Sequence, residues 1–462
     1  MNSKNTKSAV SAVAVSMVVV SLAGPVRAAG QGPNAGPPDP RQGERLDGRS
    51  PPRNPRRVAL AVPRLVLGVP RVGLKLALWP VFRVSETIEQ NALHSRLYWA
   101  LTSEDEKIRV WPVVHYETGF LPSVGLRYYD TRSLGTGSLV DLRARTAGPS
   151  LFLAEMRLRP PDATPVPLAV TFQYLHENDA LFAGIHGETE EELEAQGRAE
   201  SRYEVDRVLG RIAHARGLVG PLSLALRGEV DVRDFDNGVE RNGDRPIVEV
   251  YCTNPGTPSC TEVDERLVPG FRHGVRVVRG GATLRLDTRS VDARYPAGFS
   301  VLVDSVYSHG VIGDASQHLI LAGDTRLSVR IGDRTLLLSV RGGLVQPLSD
   351  ASVPFDELLS PTGSLGVRGL KTGRLRGHSA LVGLLEYRWL VAPYLDTSVL
   401  VDYGGAFDQG FQNFGVDRMI PSVGIGLRVF RHEKTYWQSG RIAALQVAFS
   451  EEGFRLLLSA SE

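Results

Sequence analysis

Residues 318–331 read HLILAGDTRLSVRI, and apolar and polar side chains alternate along them. Asp324 and Arg326 lie on one face with His318, Ser328 and Arg330, and the opposite face holds Leu319, Leu321, Thr325, Leu327, Val329 and Ile331. A period of two residues indicates a β-strand, because successive side chains point to opposite sides of a sheet. The segment therefore predicts a strand with one apolar face and one charged face.

The same alternation recurs near the C-terminus, in residues 396–403 and 422–429. An apolar face opposite a polar face fits a membrane barrel, in which lipid covers the outside and water fills the inside. A soluble β-sandwich would pack its apolar faces together in a shared core and show the same period. The alternation alone therefore leaves both all-β folds open.

From Trp111 to the end, short alternating segments are separated by Gly, Pro, Asp and Asn, as in a chain of strands and turns. No run in this region is apolar and long enough for a membrane-spanning helix. The sixteen predicted strands are 111–117, 123–131, 137–146, 149–159, 165–176, 198–213, 217–232, 273–288, 297–307, 316–331, 333–345, 378–391, 394–407, 420–431, 440–450 and 453–460.

The lengths of the predicted connections distinguish a barrel from a sandwich. The long connections are 177–197, 233–272, 346–377 and 408–419, and each follows an odd-numbered strand. Outer-membrane barrels have short periplasmic turns and longer outer loops, whereas a sandwich has no reason to sort its loops by parity. We therefore predict an all-β fold: a closed, transmembrane, antiparallel β-barrel of about 16 strands within residues 108–462.

The N-terminal segment has the pattern of a secretory signal peptide. Lys4 and Lys7 precede an apolar run from Ala9 to Leu22, and small residues follow at the predicted cleavage site near Ala28. The run is too short to span a bilayer of about 30 Å. We predict a signal peptide over 1–28 and export to the outer membrane of a Gram-negative cell.

Two further segments precede the barrel. Residues 29–57 are rich in Pro, Gly and Arg and hold almost no large apolar side chain, so we predict a disordered linker. Residues 58–107 are apolar but interrupted by Arg, Lys and Pro, which favours short amphipathic helices. Those helices would lie on the membrane surface or pack at the mouth of the barrel.

The composition argues against several other classes of protein. The chain has 462 residues with 53 Lys and Arg against 51 Asp and Glu, so no basic excess points to nucleic acid. The 10 His are scattered and none has metal-ligand spacing or lies in a G-x-S-x-G motif. We therefore predict no catalytic residue, no metal site and no cofactor. Cys252 and Cys260 are predicted to form a disulfide, with two free thiols as the alternative.

The C-terminal third resembles the barrel of the bacterial surface antigen (Omp85-like) superfamily, of the BamA/TamA type. The matching segments, in order, are GSLGVRGL at 363–370, RLRG at 374–377, LEYRW at 385–389, VLVDYGG at 399–405, VGIGLR at 423–428 and EGFR at 452–455. The resemblance implies that the long loop 346–377 folds back into the barrel. It also implies that Arg368 of the Arg368-Gly369 pair meets Asp402, with Glu386 nearby.

The resemblance further implies a function in the insertion or translocation of protein, or of lipid, at the outer membrane. The seam between the first and last strands would open sideways to admit a client. The partners implied are outer-membrane lipid and a client or periplasmic protein, with a barrel that is itself monomeric. A passive pore or structural barrel is the alternative, and a barrel enzyme is the less favoured one.

Three features depart from the pattern of this superfamily. Residues 58–107 are too few, and too often interrupted by proline, for the usual periplasmic POTRA modules. Leu370 stands where an aromatic residue usually follows the Arg-Gly pair. The chain ends Ser459-Ala-Ser-Glu462, without the common terminal aromatic residue. The lack of room for POTRA modules bears on how a client would be captured. The lack of a terminal aromatic residue bears on how the barrel is assembled.

Overall fold

The computed structural model describes residues 101–462 apart from 106, 136, 162–163, 165, 186–189, 196–197, 254–259, 291–295, 312–315, 333, 364–365, 393–394, 431–440 and 461–462. The predictions for the signal peptide, the linker and most of the segment 58–107 fall outside the described residues. Just before the barrel, Thr102 forms an antiparallel bridge with Arg109.

Sixteen strands of the described chain form one antiparallel barrel sheet. They are β1 (Ile108–Glu117), β2 (Ser123–Asp130), β3 (Leu139–Thr146), β4 (Leu151–Arg159), β5 (Leu168–Phe182), β6 (Ser201–Gly217), β7 (Leu222–Asn237), β8 (Val275–Asp287), β9 (Gly298–Gly310), β10 (Gln317–Ile331), β11 (Arg334–Pro347), β12 (Ser379–Ala392), β13 (Leu395–Phe407), β14 (Ile420–Phe430), β15 (Arg441–Ser450) and β16 (Gly453–Ala460).

Each strand pairs with the next along the chain, and β1 also pairs with β16, so the sheet closes on itself. A two-residue stretch, Arg245–Pro246, adds a short parallel pairing to the start of β6. The predicted closed barrel of about 16 strands is thus confirmed. Closure removes the exposed sheet edges that would otherwise need a partner.

Side-chain exposure shows which face of the sheet points outward. On β10, the apolar Val329 and Ile331 are 41% and 61% exposed, whereas the polar His318 and Ser328 are buried. A β-sandwich would show the reverse, because its apolar side chains fill the interior. The apolar face therefore lies on the outside of the barrel, where lipid would cover it, and the sandwich alternative is excluded.

The longest connections all leave the same end of the barrel, here called the long-loop end. They join β5 to β6, β7 to β8, β11 to β12 and β13 to β14, as the parity of the predicted strands indicated. They contain α1 (Glu190–Ala195), α2 (Ile247–Val250) and the 3-10 turns Phe355–Glu357, Gln409–Phe411 and Val416–Arg418. None of the described helices is long and apolar enough to span a membrane.

Two strands reach further toward the long-loop end than the alternation predicted, because β5 ends at Phe182 rather than 176 and β7 ends at Asn237 rather than 232. Between them, β6 begins at 201 rather than 198 and ends at Gly217 rather than 213. The register between β5 and β6 shifts between Glu177 and Ala180. Beyond that shift, Ala180, Leu181 and Phe182 are all buried, so the period of two disappears from the sequence.

An aromatic cluster covers the inner face of these extended strands. Phe355, from the connection between β11 and β12, packs edge-on against Phe182 and Tyr203 at centroid distances of 5.4 and 5.3 Å. It also contacts Phe235 and Phe271, at 4.9 and 6.1 Å. Packing of this kind buries a large apolar area. It fixes a residue of that connection inside the long-loop end.

Candidate functional site

The connection between β11 and β12, residues 348–378, is called loop 6 here. Its Arg368 is bound by Asp402 on β13 through three hydrogen bonds. The backbone N–H and Nε of Arg368 donate to Oδ2 at 3.1 and 2.8 Å, and Nη2 donates to Oδ1. The planar guanidinium suits this bidentate contact. Both side chains are buried, so loop 6 is held against the inner barrel wall at this point.

Glu386 on β12 lies at the edge of this contact. Its Oε2 is 3.8 Å from Nη1 of Arg368 but accepts a 2.8 Å hydrogen bond from Arg388. Burial alone would lower the pKa of Arg368, yet the hydrogen bonds to Asp402 raise it above its ordinary value. The structure thus brings Arg368 and Asp402 into direct contact and leaves Glu386 as a more distant neighbour.

Gly369 lies where loop 6 approaches the wall too closely for a side chain. A Cβ atom at this position would lie 2.6 Å from Oγ of Ser422 and 2.8 Å from Cβ of Ser450. The hydroxyl of Ser450 donates to the carbonyl of Gly369 at 2.9 Å. Glycine is therefore required here by space, and the close approach places the loop backbone beside β14 and β15.

Leu370, which replaces the usual aromatic residue, is fully buried. It belongs to an apolar cluster formed between loop 6 and the barrel wall. The members of that cluster are Val367, Leu370, Leu375, Val382, Leu384, Ala406 and Ile420. Leu370 is thus buried among apolar side chains next to the Arg368–Asp402 contact. Loop 6 therefore packs on the wall although a leucine replaces the aromatic residue.

A second group of ion pairs, which the sequence patterns did not predict, holds loop 6 near its start, before Arg368. Glu357 contacts Arg233 on β7 at 2.7 Å, Arg279 on β8 and His318 on β10 at 3.3 Å. Asp356 contacts the same Arg233. Burial alone would raise the pKa of Glu357, but the surrounding cations hold that pKa well below its usual range. The acidic pair directly after Phe355 was the available signal in the sequence.

The pairing between β1 and β16, called the seam here, is short. Its register runs from Val114 opposite Ala460 to Glu117 opposite Leu457. Thr118 extends it, because its N–H donates to the carbonyl of Leu456 at 3.1 Å. The described part of the seam thus joins four residue pairs, whereas β1 and β2 are joined by eight.

Loop 6 also contacts both sides of the seam at the long-loop end. On the β1 side, the N–H and hydroxyl of Thr372 each donate to the carboxylate of Glu117 at 2.8 Å. On the β16 side, Nε of Arg374 lies 2.9 Å from the carboxylate of Glu452, in the turn between β15 and β16. One loop segment therefore bridges the two strands that meet at the seam.

Cys252 and Cys260 are joined by a disulfide in the connection between β7 and β8, with their Cα atoms 5.7 Å apart. Cys252 follows Tyr251, which packs against Phe182 at a centroid distance of 4.8 Å. Cys252 also forms a β-bridge with Val263. The disulfide therefore closes a small loop beside the aromatic cluster.

No family model matches the sequence, and no curated protein matches it. Among solved structures, the chain is similar to BamA from Haemophilus ducreyi lacking POTRA domains 1–3. The TM-score is 0.53 at 14% identity, over 77% of this chain and 70% of that one. The chain has the fold of the BamA barrel. It is also similar to CdiB from Acinetobacter baumannii, with a TM-score of 0.48 at 10% identity, over 76% of this chain and 59% of that one.

The similarity to BamA covers 77% of this chain, which is more than the C-terminal third that carries the sequence motifs. The fold that those motifs implied, a closed barrel like that of BamA, is therefore confirmed. The similarity concerns the closed ring of strands, whereas the inward fold of loop 6 rests on the contacts of this chain. At 14% identity the likeness establishes the fold.

Proposed function

We propose that this chain is an outer-membrane barrel that inserts or translocates protein, or lipid, through an opening at its seam. The observation that supports this most strongly is the short pairing of β1 with β16. Fewer ladder hydrogen bonds must break there than between other neighbouring strands, so opening costs least at the seam. A temporarily open edge can pair with an incoming strand by β-augmentation.

The lengths of the strands also favour an opening at the seam. β1 has 10 residues and β16 has 8, whereas β5, β6 and β7 have 15, 17 and 16. Short strands span less of a bilayer, since each residue adds about 3.4 Å. At 8 residues, β16 spans about 27 Å at most, which is less than a hydrocarbon core of about 30 Å, so lipid beside the seam would be thinner or more disturbed. Such a region favours insertion.

The contacts of loop 6 weigh against a passive pore. Arg368, Glu357 and Phe355 attach this loop to the inner wall at three separate places. A loop held in this way occupies the lumen that a pore would need to leave open. We accordingly place the route at the seam rather than along the barrel axis. The partners would be outer-membrane lipid and a client or periplasmic protein, with a monomeric barrel and no cofactor.

A reversible crosslink across the seam tests this function. His115 and Ser459 face each other across the seam, so H115C/S459C should form a disulfide on oxidation. C252S/C260S in the same chain would leave only the new pair to react. In proteoliposomes, two rates are measured: folding of an added unfolded eight-stranded barrel, and exchange of a fluorescent phospholipid between leaflets. Oxidation should lower the active rate to that of protein-free liposomes, and reductant should restore it.

The matched control is L126C/A144C, which joins β2 to β3 away from the seam. This pair lies in the wall of the same barrel, so its crosslink should leave both rates unchanged. Equal rates in the oxidised and reduced seam variant would contradict the proposal, as would the absence of both activities from the reduced protein. Comparing the two rates shows whether protein or lipid is the substrate.

A further inference from the structure

A histidine and two carboxylates lie together on the outer surface of the barrel, away from loop 6 and the seam. His176 on β5 is directly opposite Asp206 on β6, and Glu204 is two residues before Asp206 on the same face. Nδ1 of His176 is 3.0 Å from Oδ1 of Asp206 and 4.0 Å from Oε1 of Glu204. All three ligand atoms lie within 4.8 Å of one another, and all three residues are partly exposed.

The hydrogen bond at the other side of the His176 ring fixes which nitrogen carries a proton. Nε2 lies 3.2 Å from the carbonyl oxygen of Pro149, in the turn between β3 and β4. A carbonyl can only accept, so Nε2 is the donor and the neutral ring presents a lone pair at Nδ1. That lone pair faces a carboxylate oxygen of Asp206. The two atoms are 3.0 Å apart, a hydrogen-bond distance that a second ring proton would bridge, and a metal ion between them would take the place of that proton.

The geometry suits a metal ion in that position. Zn²⁺ lies about 2.0–2.1 Å from a histidine nitrogen and about 2.0–2.2 Å from a carboxylate oxygen. Tetrahedral ligands at these lengths are about 3.4 Å apart, and the two distances from Nδ1 lie on either side of this value. A hydrogen bond from the second ring nitrogen to a backbone carbonyl is also the usual companion of a metal-bound histidine.

We propose that His176, Glu204 and Asp206 bind a divalent transition-metal ion, with Zn²⁺ as the representative of the class. One imidazole and two carboxylates leave a fourth position open to water or to an outside ligand. Mg²⁺ and Ca²⁺ are less suitable, because they take six or more oxygen ligands. The ligands come from two paired strands, so the site is formed by the barrel itself and needs no loop to close.

The neighbouring side chains on the same face strengthen the attraction for a cation. Asp234 and Asp236 on β7 lie opposite Asp206 and Glu204. Arg276 donates to Asp234 and offsets that carboxylate. The hydroxyl of Tyr174 donates to Oδ1 of Asp206 at 3.2 Å, which helps to orient this ligand. Acidic residues thus outnumber basic ones around the proposed site, and the local potential favours divalent cations.

Zinc titration of the full chain tests the site. The protein is purified in detergent without a polyhistidine tag and titrated calorimetrically with ZnCl₂ at pH 7.5. We expect one high-affinity Zn²⁺ per chain. H176Q, D206N and E204Q each remove one ligand while keeping its approximate size, and each should weaken binding at least about tenfold. X-ray absorption of the loaded protein should show nitrogen and oxygen ligands and no sulfur.

The matched control is H214Q. His214 on β6 also contacts a proline carbonyl, with Nδ1 3.3 Å from the oxygen of Pro167, but it belongs to no metal-capable group of three among the described residues. Its substitution should leave the Zn²⁺ affinity unchanged. If the wild type bound no Zn²⁺, a proton would fill the gap beside Nδ1 and the proposal would be overturned. Equal affinity in the wild type and D206N would overturn it too.

Discussion

Arg368 and Asp402 show what one buried ion pair does in a barrel lumen. The pair is stabilising because each charge satisfies the other in a place that water reaches poorly. Each partner alone would be a buried and uncompensated charge. The contact therefore fixes the position of loop 6 more firmly than an exposed ion pair could, since exposed pairs contribute about 0–1 kcal/mol.

The Arg368 contact leads to a prediction about stability. R368A should lower the free energy of unfolding by about 3–5 kcal/mol, because Asp402 is left buried without its partner. The measurement is the midpoint of the heat-dependent shift in gel mobility of the folded barrel. R266A is the control, since Arg266 is exposed and lies 3.8 Å from Asp264. A midpoint for R368A equal to that of R266A would show that the pair does not hold the barrel.

Loop 6 acts as one element, because its attachments lie on different strands around the barrel. Glu357 reaches β7, β8 and β10, Arg368 reaches β13, and Thr372 and Arg374 reach the two sides of the seam. These attachments are connected by a single backbone. The backbone of loop 6 therefore connects the ion pair in the lumen to both sides of the seam.

The contact of Thr372 with Glu117 predicts how loop 6 affects the seam. E117A removes the acceptor of two hydrogen bonds, each worth about 1.5–3 kcal/mol when one partner is charged. Amide hydrogen exchange at Tyr116, Glu117 and Thr118 should become faster, on the order of tenfold or more. E262A is the control, because Glu262 is an exposed loop residue paired with Arg272. Unchanged exchange in E117A would mean that the contact with loop 6 does not stabilise the seam.

At the scale of the whole molecule, the barrel combines a filled interior with a seam that is paired over a short length. The interior holds loop 6, its ion pairs and an aromatic cluster at the long-loop end. The seam joins four described residue pairs. Under the proposed function, such a barrel would resist axial flow more than it resists sideways opening at the seam.

The filled interior predicts low conductance. In planar bilayers the wild type should show no large, steady current. Replacing residues 348–378 by a short Gly/Ser linker should produce such a current, because sixteen strands can enclose water once the loop is gone. F355A/E357A should give an intermediate current. It provides the alternative test if the loop-replacement variant fails to fold. A large steady current through the wild type would favour the passive pore instead.

The alternation in segments such as 318–331 and the parity of the long loops were sufficient to predict a closed barrel of about 16 strands. This worked because a strand that separates lipid from water must repeat every two residues. The prediction was less accurate at the long-loop ends of β5 and β7. There the aromatic cluster covers the inner face, both faces meet protein or solvent rather than lipid, and the period no longer marks the strand.

The sequence alone specified local features: the strand period, the composition of the turns, and the motif around Arg368 and Gly369. Apart from Arg368 and Asp402, whose contact the resemblance implied, the meeting of distant residues became apparent only in the folded chain. Glu357 meets Arg233 and Arg279, Thr372 meets Glu117, and His176 meets Asp206. The physical reason is that strand register and the path of loop 6 bring these partners together across the sheet or the lumen. The number of residues between two such partners along the chain does not predict that they are close in the fold.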